Sequence, residues 1–125
     1  MSDIIVYGRG KTGKGLQQMT KKLGFTPIFY DDSKGFDGDG LFDPNCVVIT
    51  SPGVKPDAFG LQLAKSMGCK VVGELDFCFP YCKAKCVSVT GTNGKTTTCQ
   101  IIYHILQKAG LPSRLLGNGC VPFSN

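Results

Sequence analysis

The first half of this chain changes its hydrophobic period several times, and each change predicts an element. Ile4 to Tyr7 is an unbroken apolar run of the kind found inside a parallel sheet. Gly8-Arg9-Gly10-Lys11-Thr12-Gly13 follows, and then Leu16, Met19 and Leu23 near helical spacing. This is strand, glycine loop and helix. Gly24 ends the helix, Thr26 to Tyr30 supply a second strand, and Asp31-Asp32 stand at its C-terminal end, which makes a βαβ unit. The Gly- and Asp-rich segment 33–45 has the composition of a surface loop. Val47 to Thr50 form a third strand, Ser51-Pro52-Gly53 a sharp turn, and 57–67 a helix with Leu61, Ala64 and Met67 on one side. Lys70 to Val72 give a fourth strand, and Glu74 to Phe79 a short helix that stops before Pro80.

A change of domain is expected around Lys83 to Lys85. Cys86 to Thr90 begin again as a buried strand, and a helix over 95–109 carries Ile101, Ile102, Ile105 and Leu106 at core spacing. Gly110 caps that helix, and a last strand is expected near 113–116. The fold class is α/β: a Rossmann-like parallel sheet over residues 1–84, then the beginning of a P-loop ATPase-type domain over 85–125.

Two loops carry chemistry. Gly8, Gly10 and Gly13 satisfy the dinucleotide fingerprint between a strand and a helix. Lys11 and Thr12 are extra phosphate donors there, and Asp31 or Asp32 is available to a ribose or base. Thr90-Gly91-Thr92-Asn93-Gly94-Lys95-Thr96-Thr97 is a second phosphate cradle. Backbone N–H groups around Gly91 to Gly94 can wrap phosphates, Lys95 can neutralise the outer ones, and the Thr96 hydroxyl can ligate magnesium. Val89 stands where the general phosphate-loop pattern has glycine, so the loop is a variant. A complete dinucleotide fold needs two mononucleotide halves, yet the second loop begins within ~85 residues of the start. NAD(P) binding by an oxidoreductase and a non-catalytic nucleotide-binding module are the alternatives. Two modules, one holding a nucleotide-linked substrate and one holding ATP, account for both loops.

Composition narrows the setting. The chain has 125 residues, 42% of them hydrophobic, and a formal charge of +5 from lysines spread along it rather than from a basic run with interleaved aromatics. Anionic small ligands fit this better than nucleic acid. No segment approaches a membrane span and no secretory signal opens the chain, so a cytoplasmic protein is expected. Seven cysteines are then reduced thiols. Cys78, Cys82 and Cys86 recur at every fourth residue, but Pro80 interrupts a helix there and no His completes a metal set, so buried apolar packing is expected.

The motifs Gly8–Gly13, Tyr30-Asp31-Asp32, Thr50-Ser51-Pro52-Gly53-Val54, Gly73-Glu74-Leu75-Asp76-Phe77, Thr90–Thr98 and Gly117-Asn118 occur in the order seen in the Mur ligases, which the whole chain resembles. The family's phosphate loop has glycine at the place of Gly91, which accommodates Val89. Asn93 and Ser51-Pro52-Gly53 favour the member that adds D-glutamate to UDP-N-acetylmuramoyl-L-alanine in peptidoglycan precursor synthesis. The resemblance implies ATP and Mg2+ as cofactors. Lys11, Thr12, Asp31 and Gly53, together with Gly10, Asp32 and Ser51, would hold the uridine diphosphate part. Gly91 to Thr97 would hold ATP, Thr96 the metal, and Lys95, Thr96 and Asn118 would serve the reaction. The family has Gly-Asn-Ile-Gly where this chain has Gly117-Asn118-Gly119-Cys120. The resemblance further implies a fragment, able to bind substrate but inactive alone. An incomplete second module would then be free to pack on the first, to oligomerise or to swap.

Overall fold

The computed structural model describes residues 3–117 and 121–125. Its contacts divide the chain into two units, one running to Tyr81 and taking in Pro122–Asn125, the other spanning Cys82–Val121. The last four residues, assigned by sequence to the second module, belong with the first unit.

The first unit is built on strands β1 (Ile4–Tyr7), β2 (Ile28–Asp31), β3 (Gly35–Phe36), β4 (Val47–Thr50) and β5 (Lys70–Gly73), in the order β3-β2-β1-β4-β5. All pairings are parallel except β2 with β3. β1 lies at the centre because it is apolar on both faces, and all four of its residues are buried. Ile5 and Tyr7 join Val48, Leu61 and Ala64 on one face, while Ile4 and Val6 join Leu16, Ile49 and Cys78 on the other. Helix α1 (Lys11–Lys22) supplies Leu16, and α2 (Phe59–Ser66) supplies Leu61 and Ala64. Burying one such aliphatic side chain contributes roughly 1.5–3 kcal/mol. Thr20, fully buried in α1, is tolerated because its hydroxyl donates to the Leu16 carbonyl at 2.8 Å.

Helix α3 (Glu74–Cys78) leads into a short 3-10 turn, Phe79–Tyr81, which accommodates Pro80. The Glu74 carboxylate accepts the Ser124 backbone N–H at 2.9 Å, which fixes residues 122–125 to this unit.

Three expectations are corrected. Segment 33–45 is not only a surface loop, since it contributes β3 and places Phe42 in the core against Tyr30 and Phe36. Its Gly and Asp content masked three aromatic contacts. Residues 86–90 form no strand, and Val87 is 71% exposed. Residues 113–116 form none either, apart from one isolated bridge between Leu116 and Val121. An extended segment becomes a strand only when a neighbour pairs its backbone, and none of the described residues does so for 86–90. The helix of the second unit, α4 (Lys95–Lys108), forms as expected from its sequence, but none of its residues is buried.

Candidate functional site

Registration brings the parallel strands to a common end. Tyr7 lies level with Tyr30 and Thr50, and Thr50 with Gly73. The chain passes from β1 to β2 on one side and returns to β4 on the other, so the strand order reverses at β1. A crevice opens at the carboxyl ends of strands flanking such a reversal. Here it has a volume of about 510 Å³ and is lined by Tyr7 and Gly8 at the end of β1, Asp31 to Ser33 at the end of β2, and Val54, Lys55, Asp57 and Ala58 ahead of α2. That volume is in the range of small-ligand sites.

The glycines of the two bordering loops fall into two kinds. Gly8 has φ +101°, and a side chain there would meet Ser51 Oγ at 2.8 Å. A Cβ on Gly13 would lie 2.2 Å from the Gly8 carbonyl oxygen, so its absence lets α1 press against the loop. Gly10 and Gly53 have neither a positive φ nor any neighbour within 4 Å of such a Cβ. Nothing in the fold requires glycine at either place. Open backbone of that kind suits the close approach of a ligand.

The two carboxylates at the end of β2 do different work. Asp32 Oδ1 accepts the Tyr7 hydroxyl at 2.6 Å and the Gly60 N–H at 2.9 Å, tying β1 to the first turn of α2 and opposing that helix's positive end. Asp31 Oδ1 accepts the Ser33 hydroxyl and, at 2.9 Å, the Ser33 N–H. These bonds hold the Asp31 carboxyl below its ordinary range. It stays an anion poised to accept from a hydroxyl or an N–H. Burial first, then the bond to Asp32, pushes the Tyr7 hydroxyl far above its usual value, and Tyr30 shifts the same way.

Gly10 caps α1 with no side-chain bond, and the first helical bond runs from Lys14 N–H to the Gly10 carbonyl. The N–H groups of residues 11–13 are therefore free of helical partners, with the Lys11 and Thr12 side chains beside them and no acid in the first turn. Ser51 Oγ donates to the Tyr7 carbonyl at 3.4 Å, so its hydroxyl is partly spent on the fold. Asp31 and Asp32 line the crevice, whereas Gly10 at the cap of α1, Lys11 and Thr12 in its first turn, and Ser51 and Gly53 on the loop after β4 do not line it.

The second unit holds its own cradle. Gly91 (φ +146°) and Gly94 (φ +78°) take conformations that favour glycine. Gly94 begins α4, whose first bond runs from Thr98 N–H back to the Gly94 carbonyl. The N–H groups of Lys95, Thr96 and Thr97 are left without helical partners at the positive end of a 14-residue helix, and Gly91 to Thr97 are all exposed. Asn118 lies outside the described residues.

Charge divides along the chain in a way that a uniform spread of lysines does not capture. Residues 1–76 carry nine basic and nine acidic side chains, while 77–125 carry five basic side chains and no carboxylate. The whole formal charge of +5 belongs to the second stretch. Sequence reasoning also missed Tyr7, Lys55 and Asp57 as crevice residues. The one available signal was a tyrosine closing an otherwise aliphatic strand.

A crevice at the strand-order reversal of a mostly parallel sheet, and a second glycine loop that opens a helix in the other unit, give this α/β chain two candidate phosphate-binding loops. Residues 89–123 match the Mur ligase middle domain family. The chain is 33% identical over 136 residues to the UDP-N-acetylmuramoylalanine–D-glutamate ligase of Bacteroides thetaiotaomicron, covering 94% of this chain and 31% of that protein. It is 35% identical over 123 residues to the ligase of the same name from Aquifex aeolicus, covering 97% of this chain and 29% of that protein. A Thermus thermophilus ligase of that name is 33% identical over 91% of this chain and 30% of its own length. The chain belongs to the Mur ligase family. It spans about a third of the length of these curated relatives. Among the described residues, no helix is long and apolar enough to cross a membrane.

Proposed function

We propose that the first unit, over residues 1–84 in its sequence bounds, holds the uridine diphosphate end of UDP-N-acetylmuramoyl-L-alanine. The second holds the phosphates of ATP, as the opening of a central ATP-binding domain. Both serve a cytoplasmic ligase that joins D-glutamate to that substrate in peptidoglycan precursor synthesis. The observation that carries this reading is the pair of glycines, Gly10 and Gly53, that the fold itself does not require. Lys11, Thr12 and the free N–H groups of α1 bind diphosphate oxygens, and Asp31, with Asp32 and Ser51 nearby, orients the nucleoside.

In the second unit the N–H groups from Gly91 to Thr97 receive the β- and γ-phosphates, and Lys95 offsets their charge. Thr96 offers one oxygen to magnesium. Bound there, magnesium supplies charge neutralisation between a triphosphate and an approaching carboxylate. The terminal carboxylate of the uridine substrate takes the γ-phosphoryl group to give an acyl phosphate, and the amine of D-glutamate displaces phosphate to form the amide. Lys95 stabilises the charge that builds on the transferring group. Asn118 is assigned to the reacting end of the substrate.

Calorimetric titration with UDP-N-acetylmuramoyl-L-alanine, NADH and magnesium-ATP in parallel tests the proposal. Saturable binding of the uridine ligand without NADH binding is the expected result. Tight NADH binding would overturn it and return the first loop to a redox cofactor.

A further inference from the structure

The second unit opens on Cys82-Lys83-Ala84-Lys85-Cys86, a pair of cysteines for which the ligase reaction has no use. Their sulfurs lie 3.5 Å apart, and each thiol also donates to the Ala84 carbonyl at 3.7 Å. The backbone thus bends around Ala84 and brings both side chains to one point. Cys86 is exposed and Cys82 half-buried, so the sequence expectation of buried packing fails for this pair. It holds for Cys78, which is 2% exposed and whose thiol burial pushes up to about 12. Cys46 and Cys69 are likewise buried, with thiols shifted upward. Buried thiols of that kind are unreactive.

The surroundings of Cys82 and Cys86 are different. Lys83 and Lys85 are their immediate neighbours, and no carboxylate follows Asp76 in the sequence. The thiolate is the form that reacts. Contact with Cys82 holds the Cys86 thiol above its usual range, as expected where two thiols compete for one negative charge. A disulfide bond is about 2.05 Å long, so closing the pair from 3.5 Å asks for a movement of roughly 1.5 Å within an exposed bend.

We propose that Cys82 and Cys86 form a reversible dithiol–disulfide site that exchanges with small-molecule disulfides of the glutathione kind. One cysteine loses its proton, and its thiolate attacks a sulfur of glutathione disulfide, forming a mixed disulfide and expelling one glutathione thiolate. The second cysteine, deprotonated in turn, attacks the protein sulfur of that mixed disulfide. The Cys82–Cys86 bond forms and the second glutathione thiolate leaves. Two electrons pass from the protein to the oxidant, and the two released thiolates take up the two protons.

Trypsin makes the bond directly visible. Cleavage after Lys70, Lys83, Lys85 and Lys95 yields Val71–Lys83 and Cys86–Lys95, which stay together only through a disulfide. The chain is equilibrated with glutathione at rising disulfide-to-thiol ratios, alkylated, digested and weighed. The expected result is a linked species that is absent in reduced glutathione and becomes the main form of these peptides in oxidised glutathione, with two alkylatable thiols lost and no mass added. Val71–Lys83 also carries Cys78, so Cys78→Ser is run alongside and must keep the link. Cys82→Ser and Cys86→Ser must lose it and carry a glutathione adduct on the remaining partner. Adducts without a link in the unsubstituted chain, or a link that vanishes in Cys78→Ser, would overturn the proposal.

Discussion

Two glycines three residues apart, Gly10 at the cap of α1 and Gly13 within its first turn, should respond oppositely to alanine. At Gly13 the added methyl lies 2.2 Å from the Gly8 carbonyl oxygen and 3.1 Å from its carbon. That is about 1 Å inside the closest ordinary C···O approach, and the obstacle is backbone rather than a side chain that can swing away. Helix α1 must back off from the sheet or the β1 loop must move, which carries an overpacking cost of roughly 1–3 kcal/mol. A helical Gly→Ala change returns up to about 1 kcal/mol, so a net loss near 1–2 kcal/mol is expected. For a unit of this size that lowers the melting midpoint by roughly 5–15 °C. At Gly10, φ is −73° and no atom lies within 4 Å of the new methyl. Reduced freedom in the unfolded chain offsets the poorer cap, and stability should stay within ~0.5 kcal/mol of the parent. The methyl does occupy the space proposed for a phosphate, so uridine-ligand affinity should fall about tenfold or more, a loss of ~1.4 kcal/mol or above. Thermal and urea unfolding followed by circular dichroism, with calorimetric titration of both variants, checks the pair. A Gly13→Ala chain that melts with the parent, or a Gly10→Ala chain that binds like it, would refute the division of the glycines into structural and ligand-facing kinds.

Lys95→Ala should remove detectable magnesium-ATP binding and leave the uridine ligand's affinity unchanged, as read by the same titration. In the first unit, Tyr7→Phe leaves Asp32 Oδ1 with only the Gly60 donor and should cost about 1–2 kcal/mol in urea unfolding at neutral pH. Because the folded Tyr7 value is raised above its ordinary 10.0, its share of stability is complete below pH 10 and declines as pH rises beyond it. The parent should therefore lose more stability than Tyr7→Phe between pH 10 and 12, and absorbance at alkaline pH should show Tyr7 and Tyr30 ionising above the ordinary tyrosine value. Leu16→Ala, at a fully buried position, should destabilise the first unit by roughly 2–5 kcal/mol, whereas Ile101→Ala, 56% exposed, should shift the chain's unfolding by no more than about 0.5 kcal/mol. Raising salt should weaken magnesium-ATP binding more steeply than uridine-ligand binding, since the first 76 residues are charge-balanced and the rest are uniformly basic.

The first unit was legible because its strands carry their own evidence. The unbroken apolar run Ile4–Tyr7 suits a strand covered on both faces, and it is followed by Gly8, whose positive φ the turn uses, and by Gly13, whose missing side chain the helix contact uses. Less legible was anything set by a partner distant in sequence. Phe42 joins the core through Tyr30, twelve residues away, and nothing in the composition of 33–45 announces that contact. The bond from Tyr7 to Asp32 links residues 25 apart and separates two adjacent aspartates into different tasks, a distinction the pair Asp31-Asp32 cannot show by itself. The bend at Ala84 is equally hidden: spacing alone grouped Cys78 with Cys82 and Cys86, whereas burial sets it apart from them.

The second unit failed in the opposite sense, since its local signals were right for the helix and wrong for what surrounds it. Ile101 and Ile105 repeat at core spacing on α4, yet they are 56% and 59% exposed, and the apolar run at 86–90 has no strand beside it. Periodicity reports the face that a helix needs covered, not whether it is covered. The cradle at Gly91–Thr97 is less affected, because its geometry comes from two positive-φ glycines and a helix start, features closed within eight residues. Backbone geometry that is closed within one loop can be read from a short segment. A core cannot, because burial belongs to the neighbours as much as to the residues themselves.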